Sequence, residues 1–268
     1  MDVITAIVLG IAQGLTEFLP VSSSGHLVLL QKIFGVEEPG LFFDTMLHIG
    51  TLLAVFAVLW KDIWGILKKI IQPLTGYLII ATIPAVIAAL AFKDLIESAF
   101  ESGQFLGICF LITSALLVTA EQLAKRAANK KNGENMNWID AVIIGVFQAI
   151  AIAPGISRSG ATISGALSLK LDRDFAARFS FLMSIPAILG ALVLQVKDLA
   201  KSGGAAAGES IGALSVAAGT VTAAIVGFFA VKLMLKIIRE KSLYGFAIYT
   251  AAIGVLVLID QFVTRIIF

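Results

Sequence analysis

The sequence predicts an all-α integral membrane protein: six transmembrane helices plus two re-entrant helical hairpins, built as an inverted-topology repeat in one membrane domain. Three observations carry that prediction. Of the 268 residues, 59% are hydrophobic and only 14% charged, against roughly 45–50% apolar and about 25% charged in soluble domains; mean hydropathy is +0.97. Six stretches approach the roughly 20 apolar residues that a helix needs to cross a bilayer. Two further apolar stretches are interrupted by the same kind of small, hydroxyl-rich segment, 135 residues apart.

In chain order, residues 3–18 can form a helix, but it runs into Pro20 and the cluster "VSSSGHL", and only 26–34 follows before a loop. This pattern reads as a re-entrant hairpin: a helix enters the membrane, breaks, and a short helix returns to the same side. Broken backbone at membrane depth is tolerated only inside protein or beside a wet cavity, because its N–H and C=O groups lack partners in lipid. Spans follow at 42–60, 74–92 and 104–121. Residues 140–152 and 160–169 repeat the broken pattern around Pro154 and Gly155, and three more spans follow at 175–196, 212–235 and 243–263. No cleavable signal pattern opens the chain, since Gln13 and Glu17 interrupt the first apolar run and Lys32 is the first basic residue. Cys109 stands alone, which excludes a disulfide framework or a thiolate metal site.

Sliding the sequence by 135 residues superposes the two breaks without a gap: Gly10 meets Gly145, Gln13 meets Gln148, Ser22 meets Ser157, Ser24 meets Ser159 and Gly25 meets Gly160. At a shift of 136, "MLHIGTLLAVFAVLWKDI" (46–63) lies over "LMSIPAILGALVLQVKDL" (182–199). The halves, about 1–135 and 136–268, each hold one hairpin and three spans. Three is odd, so the halves run in opposite orientations, the plan that places broken helices near the midplane at the repeat interface. The charges agree: one side carries Lys32, Lys93, Lys197, Lys201 and Arg265, while 14 of the 20 basic residues fall on the other and Arg158 lies inside. The positive-inside rule then puts the richer side in the cytoplasm and both termini outside.

Each break ends by opening a short helix behind Ser22-Ser23-Ser24-Gly25 or Ser157-Arg158-Ser159-Gly160. Free N–H groups at a helix start beside serine hydroxyls suit an anion, and Arg158 adds a planar fork matched to phosphate oxygens. Two such starts facing each other can hold a diphosphate; equally, Ser and Gly can serve only to cap the breaks and let helices pack closely. The copies also differ. Glu17 lies over Ile152, His26 over Ala161 and Ser23 over Arg158, so an acid, a hydroxyl and an imidazole stand on one wall and a cation on the other. That division suits a reaction centre. Gln13 and Glu17, four apart, share a helix face; Glu17 can bind a divalent cation, act as general base, or pair with Arg158. His26 in the first turn of its helix can be a neutral base or a cap. Asp44 and His48, also four apart, read best as a structural hydrogen bond, with a supporting role behind the site residues or a weak metal pair as the alternatives.

The segments "GIAQGLTEFLPVSSSGHL" (10–27) and "APGISRSGAT" (153–162) give the chain, over its whole length, a resemblance to the undecaprenyl-diphosphate phosphatases, the bacitracin-resistance membrane family. The first segment matches that family's Glu/Gln-x-x-x-Glu pattern at Gln13 and Glu17 and its Pro-Val-Ser-Ser-x-Gly-His pattern from Pro20 to His26. The second matches Pro-Gly-x-Ser-Arg-Ser-x-x-Thr from Pro154 to Thr162. Gln at the first acidic position, which the family pattern allows, leaves less negative charge for a metal.

The resemblance implies removal of the terminal phosphate from a C55 isoprenyl diphosphate, which recycles the lipid carrier of cell-wall synthesis. The implied cofactor is a divalent cation, Mg²⁺ or Ca²⁺, on Glu17 and Gln13, and the implied location is the bacterial cytoplasmic membrane, with the site open toward the outer face. It makes Glu17, Ser23, His26 and Arg158 the catalytic set, with Ser23 as nucleophile or nucleophile-positioning hydroxyl. Gln13, Ser22, Ser24, Gly25, Ser157, Ser159 and Thr162 become the substrate-binding set. Expected partners are the lipid substrate and surrounding membrane lipids, with a homodimer allowed and no nucleic acid. The rival reading is a transporter or flippase for a phosphorylated substrate, which needs the cation but not a hydroxyl flanked by acid and base.

Overall fold

The computed structural model describes residues 1–36, 40–126, 131–201 and 211–268; Lys130, one of the cations used to orient the chain, lies outside them. The described residues form twelve α-helices, with a short 3-10 turn at Gly133–Asn135 and a π-helical end at Asp260–Thr264. The first break separates α1 (Val3–Thr16) from α2 (Ser23–Ile33), and the second separates α8 (Trp138–Ile150) from α9 (Arg158–Ser168). At 1.5 Å per residue, helices of 14, 11, 13 and 11 residues each fall well short of the roughly 30 Å hydrocarbon core. Each pair packs side by side, α1 on α2 and α8 on α9.

Five helices are long and apolar enough to span: α5 (Pro73–Ala91), α7 (Leu106–Arg126), α10 (Arg173–Lys201, through Leu194), α11 (Ala213–Glu240) and α12 (Tyr244–Ile259) with its π-helical end. The sixth expected span is α3 (Gly40–Val58), which turns by 79° into α4 (Trp60–Lys68). The protein is therefore a multi-pass, all-helical membrane protein. Sequence pattern did not show α4 or α6 (Lys93–Ser102) as helices, because their charges end the apolar windows. Both are amphipathic rather than spanning. On α4, Trp60 and Trp64 stack at 5.5 Å and Lys68 lies over the Trp64 ring, the aromatic and basic composition of a helix lying at a membrane interface.

The packing exchanges partners between the halves. α1 runs along α11, and α8, its counterpart by sequence, runs along α5; α3 packs on α11, and α10 on α5. The duplicated glycines explain the close approach. A Cβ on Gly10 would lie 2.5 Å from the Gly219 carbonyl oxygen, and one on Gly145 would lie 2.5 Å from that of Ala81, so any side chain would push the helices apart. Aromatic and branched side chains, including Phe18, Val55, Ile144, Ile163 and Phe181, fill the buried core between the halves.

Candidate active site

The two broken segments meet, and the chemistry lies between them. Ser22 caps α2 with its hydroxyl accepting from Gly25 N at 3.2 Å, and Ser157 caps α9 by accepting from Gly160 N at 3.0 Å. Both short helices thus start with aligned N–H groups of Ser23 and Ser24, or Arg158 and Ser159, that no preceding turn can satisfy. Ser22 holds φ at +72°, outside the comfortable range of a side-chain-bearing residue, and such strain is retained only where surrounding structure enforces it. In the second copy the aligned Ser157 has φ −69°, and the positive φ, +92°, falls instead at Gly155 two residues earlier, where a Cβ would strike Cys109 and Leu106.

Glu17, in the first break and 5% exposed, is the hub. Ser23 Oγ donates to its Oε2 at 2.6 Å and Gln13 Nε2 to the same oxygen at 3.1 Å. Arg158 Nη2, reaching across from the second half, donates to Oε1 at 2.8 Å. Nη1 of the same guanidinium donates to the Ser180 carbonyl at 3.2 Å. Of the roles open for Glu17 in the sequence, the contacts show the pairing with Arg158; the Ser23 hydroxyl and the Gln13 amide converge on its other oxygen. The Gln13 Oε1 atom is buried without a hydrogen-bond partner.

Several expected site residues are placed differently from the simplest reading. His26 is not on Ser23. Its Nδ1 lies 2.6 Å from the Ser22 carbonyl, which only accepts, so that nitrogen carries the proton. Its Nε2 meets the Tyr249 hydroxyl at 2.8 Å, with the two rings stacked. His26 therefore braces the strained Ser22 turn. Gly25 packs under the Phe110 ring and against Gly155, where a Cβ has no room. Ser157, Ser159 and Thr162 are wholly buried. The Ser159 hydroxyl donates to the Leu19 carbonyl at 3.1 Å and contacts Ser157 Oγ at 3.2 Å, and Thr162 donates to the Arg158 carbonyl at 2.8 Å and meets Ser180 Oγ. The Ser159 hydroxyl thus ties the second break to the first, while Thr162 ties α9 to α10. Ser24 Oγ sits 3.3 Å from Ser22 Oγ. Ser23, Ser24 and Arg158 keep partial exposure, so these side chains can reach a ligand.

Two contributors escaped the sequence reading, and a third, His48, entered it only beside Asp44. His48 on α3 places Nδ1 2.8 Å from Gln13 Nε2 and 3.4 Å from Glu17 Oε2, so it belongs to the site rather than to a hydrogen bond with Asp44. Asp44 instead accepts from Gln31 Nε2 at 2.9 Å. Tyr249 and Ser180 come from α12 and α10, distant in sequence and in no recognisable motif. Only the i,i+4 spacing that puts His48 on the Asp44 face hinted at any of them.

A sequence model of the bacitracin resistance protein BacA matches residues 6–256. The chain is 46% identical over 261 residues to the undecaprenyl-diphosphatase of Carboxydothermus hydrogenoformans, covering 97% of this chain and 98% of that protein. It is 47% identical over 262 residues to undecaprenyl-diphosphatase 4 of Bacillus cereus, covering 98% of each. It is 40% identical over 281 residues to the undecaprenyl-diphosphatase of Methanosphaera stadtmanae, covering 97% of this chain and 98% of that one. With a match that takes in both broken segments and the spans between them, the chain belongs to the bacitracin resistance protein BacA family.

Proposed function

We propose that this protein hydrolyses undecaprenyl diphosphate to undecaprenyl phosphate and inorganic phosphate, returning a lipid carrier to cell-wall synthesis. One observation carries the reading: a serine hydroxyl and a guanidinium, contributed by opposite halves at two helix starts, contact the two oxygens of one carboxylate at 2.6 and 2.8 Å. The names of relatives above 40% identity over nearly the full chain support it. Phosphoryl transfer needs charge neutralisation and in-line placement more than elaborate covalent chemistry. Of the five N–H donors of the Arg158 guanidinium, two are engaged, on Glu17 and Ser180; we assign the remaining three, with the N–H groups at the starts of α2 and α9, to the terminal phosphate. Glu17 Oε2 is the acceptor for the Ser23 proton, whether that hydroxyl attacks phosphorus itself or orients the attacking water. An unassisted serine is a poor nucleophile, and the 2.6 Å contact supplies the assistance.

The donor set fits a divalent cation of the Mg²⁺ or Ca²⁺ kind only in part-protein form. Among the described residues no three His, Cys, Asp or Glu side chains form a cage. Mg²⁺, however, is commonly held by one or two carboxylates plus substrate phosphates. Glu17 offers the carboxylate and the orphan Gln13 Oε1 a neutral oxygen; these two residues would hold the ion. A bound cation would there neutralise charge on the phosphoryl oxygens.

We read the two halves as inverted repeats, with the broken pairs as re-entrant hairpins, both termini and the mouth of the site on the outer face of the bacterial cytoplasmic membrane. The exchanged packing of α1 on α11 and α8 on α5 supports the repeat. The test is phosphate release from a long-chain isoprenyl diphosphate by the purified chain, with magnesium and then with chelator. Release that stops with chelator is expected. No release from folded protein under either condition overturns the phosphatase and passes the site to the transporter reading.

A further inference from the structure

We propose that His48 is a positioning residue for this reaction: it fixes the Gln13 amide and, through it, the Glu17 oxygen that receives the Ser23 proton. The inference rests on the phosphatase reading and deepens it. Gln13 Nε2 has two N–H bonds; one points to Glu17 Oε2 at 3.1 Å and the other to His48 Nδ1 at 2.8 Å. With Nδ1 assigned as the bare, accepting nitrogen, the tautomer that complements an amide NH₂, His48 holds the amide nitrogen between itself and the carboxylate. Among the described residues nothing else steadies that amide, because Gln13 Oε1 has no hydrogen-bond partner. Glu17 Oε2 thereby accepts from Ser23 Oγ at 2.6 Å and Gln13 Nε2 at 3.1 Å, while Oε1 is tied to Arg158 at 2.8 Å.

The geometry gives His48 a role that α1 cannot supply alone. Gln13 and Glu17 flank a helix end, where α1 stops at Thr16 and the chain turns. A side chain from a different helix is needed to set where the carboxylate sits relative to Ser23 on α2. α3 provides it, and α3 in turn is held against α1 and α11. In the second copy, Ser184 occupies the aligned position, and its hydroxyl donates to the Phe181 carbonyl at 2.6 Å. Gln148, the aligned amide, has neither its nitrogen nor its oxygen bonded. The imidazole and an engaged amide occur together only in the half that carries Glu17 and Ser23.

The variants His48→Ala and His48→Asn separate this role from a merely structural one. Asn places its Oδ1 acceptor the same number of bonds from the backbone as Nδ1 of His, without a ring and without a titrating group. The readouts are kcat and KM for phosphate release by the full chain in detergent, beside a thermal melt. His48→Ala should lose about 10- to 100-fold in kcat, the range seen when a supporting partner of a reactive group is removed, with KM within about twofold of wild type. His48→Asn should recover most of the loss. Wild-type kcat in His48→Ala overturns the inference and leaves the phosphatase standing. His48→Asn as slow as His48→Ala, with both folded, also overturns it, because the accepting atom at that place is then irrelevant. A wild-type chain that releases no phosphate removes both readings at once.

Discussion

Arg158 shows why single residues at this site must be probed with charge in mind. Removing the guanidinium takes away a phosphate ligand, but it also strands Glu17, 5% exposed, without its partner at 2.8 Å. Breaking a buried pair from one side costs about 3–5 kcal/mol. Arg158→Ala should therefore lose activity and melt at a lower temperature, and its inactivity alone says little about phosphate binding. Arg158→Lys retains the charge and one contact but cannot hold Glu17 and the Ser180 carbonyl together. It should stay folded and lose at least about 100-fold in kcat/KM; near-wild-type turnover would count against a two-pronged grip. Ser23→Ala leaves no comparable orphan, since Glu17 Oε2 keeps Gln13. It should abolish phosphate release with an unchanged melting temperature, and measurable turnover in that variant sinks the role given to the hydroxyl. At this scale the sequence was informative wherever chemistry sits inside a contiguous motif. Glu17, Ser23 and Arg158 were legible because no bland account covers a carboxylate and a guanidinium inside apolar segments. The partners His48, Tyr249 and Ser180 were not, because adjacency in space across helices leaves no mark on spacing along the chain.

Among the elements, the duplicated amides make a controlled comparison. Gln13 and Gln148 are aligned by the repeat, both are buried, and they sit on equivalent helices that each pack on the opposite half. Gln13 is joined to Glu17 and His48; Gln148 has no protein partner for either polar atom. A buried amide with no partner costs about 1–3 kcal/mol. Gln148→Leu, similar in size and apolar, should raise the melting temperature with activity unchanged, whereas Gln13→Leu should impair turnover. A lower melting temperature for Gln148→Leu would show that its amide has partners that matter, such as an internal water. The elements themselves were mostly legible: all six predicted spans coincide with helices, and each broken segment yields two short helices around its Pro and Ser-Gly cluster. What periodicity missed was the 79° turn from α3 into α4. An apolar window records how much of a helix dissolves in lipid, not where the backbone leaves the membrane to lie along its surface.

For the whole molecule, the distribution of cations between the two ends predicts which end faces the cytoplasm. At one end Arg173 on α10 donates to Glu121 on α7 and to the carbonyls of Ile238 and Lys241 at the end of α11, at 2.7–3.2 Å. Beside it Arg178 bridges Asp62 on α4 and Asp174, which also takes Arg239. Four helices, α4, α7, α10 and α11, are thus tied at the end that carries most of the basic residues. The opposite end is held by Asp260, whose carboxylate accepts from the N–H groups of Ile266, Ile267 and Phe268, and by Lys32 over the Phe268 ring; it is poor in cations. Juxtamembrane Lys and Arg resist translocation whether or not some are paired once the protein has folded, because orientation is chosen during insertion. The Arg-tied end should therefore be cytoplasmic. Single cysteines at the exposed positions Lys69 and Asn135 on that end, and Glu97 on the other, test this with a membrane-impermeant thiol reagent; the native Cys109 is buried and contributes little background. In intact cells Glu97→Cys should label, and Lys69→Cys and Asn135→Cys should label only after the membrane is opened. The reverse pattern would invert the molecule and move the mouth of the Ser23–Glu17–Arg158 site to the cytoplasmic face.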